Sequence, residues 1–306
     1  MTYVAAISPI TVDIIHSGLS RMPNLGEEVF GHAFDMQIGG GPPAMLITLN
    51  KLGVRGELGT FLGNDSMSLF AQSLLTKHNV NYTNLYRGDK NPVVVTSIAS
   101  FPEDRYFLTY NPGIDERMSA PGEVYNLLQG SKVCFGVKSH DHVMDRLKEE
   151  GTKIVYDVGW KDDLHIDQVR DTLSSVFVFT PNDKEAIKMT GKTDVYEALE
   201  VLEHYVDHVI ITMGREGCIT KTKDGFVHIP AIKDFETVDT TGAGDNFLAG
   251  VMFGLYKDMA IEDCMKIGNV VGGFSTTELG CCKANITLEK LEYYLRKYYG
   301  IKGIIS

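Results

Sequence analysis

Apolar residues along the chain follow two patterns. Short continuous runs occur at residues 3–7, 132–135, 153–156, 176–179 and 209–212. Runs of this length read as strands buried on both faces. Helical spacing appears at 45–52, stopped by Gly53, at 66–77, and again where Phe247, Leu248, Val251, Met252 and Leu255 recur. From Gly122 onward helices alternate with short strands, which predicts a mostly parallel sheet between two helical layers. Ligands bind such sheets at the carboxyl ends of the strands. The polar residues found there are Asp157, Asn182 with Glu185, and Thr212 with Gly214.

The second pattern has period two. Over 29–38, Phe30, Phe34, Met36 and Ile38 fall on one side and Ala33, Asp35 and Gln37 on the other, which predicts a half-buried strand. Residues 93–100 and 105–110 are β-rich and joined by Phe101-Pro102-Glu103-Asp104, which reads as a hairpin. An extended run, Phe235-Glu236-Thr237-Val238, leads into the glycine-rich stretch Asp239-Thr240-Thr241-Gly242-Ala243-Gly244-Asp245-Asn246-Phe247 at the mouth of a helix. No internal repeat or low-complexity linker divides residues 1–306.

That glycine-rich stretch has the chemistry of an anion hole. Gly242 and Gly244 let the backbone turn tightly and approach a ligand, and the N–H groups of Ala243, Gly244 and Asp245 stand free at a helix start. A carboxylate beside such a hole accepts a proton from a hydroxyl while the hole holds the group being attacked, a division of labour suited to phosphoryl transfer. The plainer alternative is that Asp245 complements the helix dipole and the glycines only turn the chain. Asp13 lies among apolar neighbours after the first strand, an odd place for a carboxylate without a partner. Gly39-Gly40-Gly41-Pro42-Pro43-Ala44 formally satisfies the dinucleotide-binding pattern, so a Rossmann NAD(P)-dependent oxidoreductase is a rival reading. Against it, Glu57 comes too early for the ribose-binding acid and Asp65 lies in a loop. Gly191-Lys192-Thr193 resembles the end of a P-loop, but Ala186 stands where that motif needs glycine, so Gly191 reads as a helix cap.

The nonapeptide around Asp245 resembles the C-terminal signature of the ribokinase-like (PfkB) family of sugar and nucleoside kinases. The resemblance extends in order along the chain through Asp13, Gly39-Gly40, the hairpin, Asn182-x-x-Glu185, Thr212-x-Gly214 and Asp245. It implies a three-layer α/β/α domain with a mostly parallel central sheet, plus a small β-sheet lid from segments near 12–38 and 93–110. It implies an ATP-dependent carbohydrate kinase with Mg²⁺, Asp245 as catalytic base and Gly242, Ala243 and Gly244 as the anion hole. Asp13, Gly39, Gly40 and Asn111 would meet the sugar, and Thr212, Gly214, Gly217 and Asn269 the nucleotide. Asn269, on a small-residue helix over 268–277, has packing in a helical core as its alternative. Asn182 and Glu185 would organise Mg²⁺ through water, and the same pair also reads as a capping box; both readings can hold together. Asp239, Thr241, Ser275 and Gly280 match positions that ligate K⁺ in some members. The chain departs from the pattern at Ala44 in place of asparagine, after Asp157, and at Ala284 where a further K⁺ ligand is expected. The alternatives are a nucleoside kinase of the same fold and a non-catalytic sugar- or nucleotide-binding protein.

Composition narrows the partners. The 306 residues are 43% hydrophobic and carry a net charge of -11, which argues against nucleic acid or an anionic membrane as partner. Five cysteines without a Cys-x-x-Cys pair fit a reducing cytoplasm, and no apolar run is long enough to span a membrane. An exposed lid edge is a pairing hazard that a homodimer through the lids would remove. The single tryptophan, Trp160, is expected either to line the cleft or to lie in the core.

Overall fold

The computed structural model describes residues 3–101 and 105–304. Its first half runs β1 (Val4–Ile7), β2 (Thr11–Ser17), β3 (Ala33–Ile38), α1 (Pro42–Lys51), β4 (Gly56–Thr60), α2 (Ser66–Lys77), β5 (Asn81–Asn84), β6 (Val94–Ser100), β7 (Arg105–Tyr110), α3 (Pro121–Leu128) and β8 (Val133–Phe135). It continues through α4 (Asp141–Glu149), β9 (Lys153–Tyr156), α5 (Arg170–Leu173), β10 (Val178–Phe179), α6 (Asp183–Thr190), α7 (Val195–Leu202), β11 (His208–Val209) and β12 (Ile211–Thr212). The last elements are β13 (Cys218–Thr222), β14 (Gly225–Ile229), α8 (Ala243–Tyr256), α9 (Ile261–Ser275) and α10 (Leu288–Tyr299).

Seven parallel strands form the central sheet in the order β11-β10-β9-β8-β1-β4-β5. Alternate residues feed two apolar layers: Val4, Ala6, Val133, Val155 and Val178 pack toward α1, α2, α8, α9 and α10, whereas Ala5, Cys134, Ile154 and Phe179 pack toward α3 to α7. This is the predicted three-layer α/β/α arrangement. The order reverses between β1 and β8, where chains leave in opposite directions and open a crevice at the strands' carboxyl ends.

The predicted small sheet is also present, in the order β3-β2-β6-β7. Asp13 lies opposite Gln37 on β3 and Thr96 on β6, and Thr96 lies opposite Thr109 on β7. These four form a polar row on one face, with the Thr96 and Thr109 hydroxyls 3.1 Å apart. Phe34, Tyr106, Leu108 and Tyr110 are left exposed.

Several expectations need correction. The strand expected over 29–38 begins only at Ala33, and Phe30 is 74% exposed, so its place in the alternation reflects no burial. The run at 235–238 is not a strand: Phe235 turns into a ring cluster with Phe274 and Tyr294, and the backbone N–H of Val238 donates to Thr276. The strand expected over 209–212 divides, with β11 in the central sheet and β12 in a separate three-stranded sheet β12-β13-β14 that went unanticipated. Phe101 is described, but Pro102, Glu103 and Asp104 of the hairpin connection lie outside the described residues. Trp160 is 55% exposed, on the loop after β9. The Rossmann rival fails here, because β3 before the glycines is antiparallel to β2 in the small sheet rather than part of a parallel unit. Gly191 caps α6 in the left-handed conformation. Among the described residues no helix is long and apolar enough to cross a membrane.

Candidate active site

Gly242, at φ 72, turns the chain into α8, whose residues from Asn246 to Leu255 are buried. Glycines fix this helix against α9: a β-carbon on Gly250 would meet Gly268 Cα at 2.8 Å. Asn246 locks the turn from beneath. Its Nδ2 donates to the carbonyls of Gly242 (2.9 Å) and Cys281 (3.0 Å), and its Oδ1 accepts from the Thr48 hydroxyl of α1 at 2.6 Å. Lys51, at the far end of α1, donates to the carbonyls of Cys282 and Ala284 (2.5 and 2.9 Å). The turn, α1 and the loop after Leu279 are therefore one hydrogen-bonded unit. Sequence reading did not mark Asn246 or Lys51, because an amide or amine bonding distant carbonyls leaves no local signature.

Asp245 stands in the first turn of α8 and accepts the Gly41 backbone N–H, which opens α1. Two helix N-termini thus converge on one carboxylate. Burial raises its pKa, and the Gly41 N–H opposes that shift. Gly40 passes directly over it, and Gly39 passes over Asp13, where a β-carbon would lie 2.7 Å from Oδ1. The paired glycines are required by these carboxylates, a local reason the sequence expectation lacked. Asp13 is buried, and burial followed by the negative charges of Asp245 and Asp239 pushes its pKa up to about 6.

On the other side of the turn lies a cavity of about 600 Å³. Thr212, Gly214, Gly217, Ala243, Gly244 and Asn269 all line it, as do Phe235, Lys233 and Arg215. Its floor is glycine because nothing larger fits: a β-carbon on Gly272 would lie 2.9 Å from the Ala243 carbonyl, and one on Gly273 2.8 Å from the Phe235 ring. Such a cradle fits a nucleotide. Asn269 spends its Nδ2 on the Ile229 and Pro230 carbonyls (3.2 and 3.1 Å), so it helps shape the wall. Gly217, at φ 96, brings the loop against the Ile229 carbonyl.

Asn182 and Glu185 form the capping box at the start of α6, each accepting the other's backbone N–H at 2.9 Å. That uses Oε2 of Glu185. Burial raises the Glu185 pKa. Asp157, after β9, is raised well above the usual carboxylate range by burial and then by the charges of Glu185 and Asp245. Asp157 thus joins the site electrostatically, although its flanking residues depart from the expected motif. Among the described residues no group of three His, Cys, Asp or Glu could enclose a metal. The donors that remain fit a Mg²⁺ held chiefly by phosphate and water.

Three of the four residues expected to ligate K⁺ come together. Asp239 Oδ1 accepts from the Thr241 N–H and hydroxyl (2.9 and 2.8 Å) and from Arg105, and Oδ2 accepts the Gly280 N–H at 2.8 Å. Ser275 instead donates its hydroxyl to the Gly272 carbonyl at 2.7 Å. Four donors, Arg105 among them, fill the Asp239 carboxylate, so it has no lone pair left for a monovalent ion. Asn111 accepts the Gly113 N–H in a turn after β7 and is exposed.

A family model described as pfkB family carbohydrate kinase matches residues 1–288. The chain is 26% identical to a ribokinase of Lactococcus lactis over 291 residues, covering 92% of each. It superposes on a putative ribokinase II from E. coli with a TM-score of 0.81 at 17% identity, covering 97% of this chain and all of that one. An Arabidopsis thaliana ribokinase complexed with ribose and ATP superposes with a TM-score of 0.77, also at 17% identity, covering 97% of this chain and 99% of that one.

Proposed function

The chain belongs to the pfkB family of carbohydrate kinases, and from that premise we propose that it transfers the γ-phosphoryl group of ATP to a hydroxymethyl group of a sugar or sugar-like substrate. Kinases of this family use ATP and Mg²⁺. The observation that carries the reading is Asp245 at the meeting of two helix N-termini, between the acidic pocket of Asp13 and the cavity ended by Ala243 and Gly244.

In this reading Asp13 accepts hydrogen bonds from substrate hydroxyls and orients the acceptor. Asp245 takes the proton of the attacking hydroxyl as its oxygen bonds to phosphorus and the bond to the leaving diphosphate breaks. In the Gly242-Ala243-Gly244 turn the N–H groups of Gly242 and Gly244 hold the charge on the transferring group, since the Ala243 N–H already donates to the Thr240 carbonyl at 3.2 Å. Thr212, Gly214, Gly217 and Asn269 shape the nucleotide pocket. Glu185, with one oxygen spent on its cap, would help hold Mg²⁺ through water with the other. Mg²⁺-ATP supplies the phosphoryl group.

A second copy of the chain is proposed to cover the exposed lid face of Phe34, Leu108 and Tyr110. The five cysteines, all free and buried, suit a reducing cytoplasm.

The test is a screen of sugars and nucleosides that reads ADP release. Release dependent on one acceptor identifies the substrate and decides between carbohydrate and nucleoside. Absence of acceptor-dependent release across both classes, in folded protein that binds ATP, would reject the kinase reading in favour of a binding protein.

A further inference from the structure

We propose that the guanidinium of Arg105, carried on the lid, takes the place of a monovalent cation beside the nucleotide turn and makes lid closure and ordering of that turn a single event. Arg105 opens β7 and alternates with Phe107 and Thr109, so it shares the face of Thr96 and Asp13 that looks into the site. From there it crosses 134 positions of sequence to pair with Asp239, and its second terminal nitrogen donates to the Thr240 hydroxyl at 3.0 Å. Asp239 in turn holds the Thr241 N–H and hydroxyl and the Gly280 N–H. One carboxylate therefore ties together the lid, the turn before the anion hole and the loop after Leu279.

Two further lid contacts land on that same loop. Gln37 donates to the Leu279 carbonyl at 3.3 Å and lies flat over Gly280, and Lys283 pairs with Asp35 at 2.8 Å. The charge balance points the same way. Asp239 adds its negative charge to those of Asp13 and Asp245, and a guanidinium is ionised at every working pH. It neutralises Asp239 with directed bonds, which a loosely held ion does not. The Arg105–Asp239 pair is largely shielded, with the Asp239 side chain 9% exposed, so removing one partner strands the other.

The latch rests on geometry, and only its catalytic consequence rests on the kinase reading. The experiment compares wild type, Arg105→Gln and Arg105→Lys, each checked for fold by thermal melting. Hydrogen exchange of residues 238–244 is measured without substrate, in buffer whose only monovalent cation is tetramethylammonium and then with saturating K⁺. ATP-dependent turnover is followed alongside. Wild type is expected to change less than ~2-fold in either readout, since its cation is covalently attached. Arg105→Gln is expected to exchange at least ~10-fold faster in this segment, the worth of a lost charged hydrogen bond. K⁺ should recover part of that protection and part of the rate, and Arg105→Lys should fall between. Strong K⁺ activation of wild type, wild-type protection in Arg105→Gln, or a loosened turn that K⁺ fails to tighten would each overturn the proposal. Should Arg105→Gln not fold, Arg105→Lys and the wild-type K⁺ titration still decide it. A protein that phosphorylates nothing yet shows the exchange pattern would sink the kinase reading and leave the latch standing.

Discussion

A β-carbon on Gly40 would stand 2.5 Å from Oδ2 of Asp245, closer than any real contact permits. The glycine and the carboxylate come from helix starts 205 positions apart in sequence, and each fixes the other's place. Gly40→Ala must push Asp245 off the Gly41 N–H. We expect kcat to fall by ~10²-fold or more, since misplacing a reacting group by about an ångström costs that much. ATP affinity should change little, because Asp245 does not line the cavity proposed to hold the nucleotide. Steady-state kinetics with nucleotide titration checks this; near-normal kcat would mean that Asp245 has no positional duty.

Asp245→Asn removes the proposed base and keeps the shape. The expected loss in kcat is ~10²–10⁴-fold with both ligands still bound, the usual worth of a positioned general base. The amide oxygen can still accept the Gly41 N–H, so stability should hold. Wild-type turnover in the folded variant would leave Asp245 as a helix-start charge only.

Much of the candidate site's local geometry was legible because backbone constraints write themselves into local sequence. Gly242 needs a positive φ and Gly39 and Gly40 must clear carboxylates, so those positions announce themselves as glycine. Asn182 and Glu185 were equally readable, because a capping box has a fixed spacing. What escaped was the cross-chain geometry. Arg105 reads as an ordinary strand residue until the lid folds onto Asp239. Asn246 reads as a helix residue until Thr48 and Cys281 close around it. Phe235 and Val238 stand in a short run that reads as extended, yet one enters a ring cluster and the other faces solvent.

Asp13 ties stability to pH. Its folded pKa, about 6, lies above the ordinary value of 3.8, so the folded protein holds this proton more tightly than the unfolded chain does. The stabilising contribution is complete below pH ~4 and is lost as pH rises through ~6. At neutral pH the ionised, buried Asp13 costs up to about 3 kcal/mol. Asp13→Asn should therefore gain stability relative to wild type as pH rises from 4 to 7, while losing substrate affinity throughout. Denaturant melts across that range, beside substrate KM, measure both. A stability difference that stays flat with pH would contradict the raised pKa.

Leu108, on edge strand β7, is 73% exposed next to exposed Tyr110 on the same face. Leu108→Asp should shift a lid-to-lid dimer toward monomer by at least ~10-fold in Kd, since a charge buried at an apolar contact costs more than ~1.4 kcal/mol. Light scattering over a concentration series reads this directly. A wild type that is monomeric at every concentration would remove the dimer from consideration.

Glu185 offers a separation of cap from metal. Its Oε2 accepts the Asn182 N–H at 2.9 Å, and Asn182 accepts the Glu185 N–H at the same distance. Glutamine preserves both bonds, so Glu185→Gln should melt within ~0.5 kcal/mol of wild type, the range of substitutions that break no partner. The lost charge matters only if the other oxygen faces an ion. Burial already raises the pKa of this carboxyl, and Asp157 beside it is raised further by the Glu185 charge. Bringing Mg²⁺ there would relieve both, because a dication reverses the repulsion between the two carboxylates. The half-saturating Mg²⁺ concentration at fixed ATP should therefore rise several-fold in Glu185→Gln, and excess Mg²⁺ should recover much of the rate. Asp157→Asn should show a smaller shift in the same direction. A Mg²⁺ curve that superposes on wild type, in a variant with an unchanged melt, would assign Glu185 to the cap alone and leave the metal to the nucleotide phosphates.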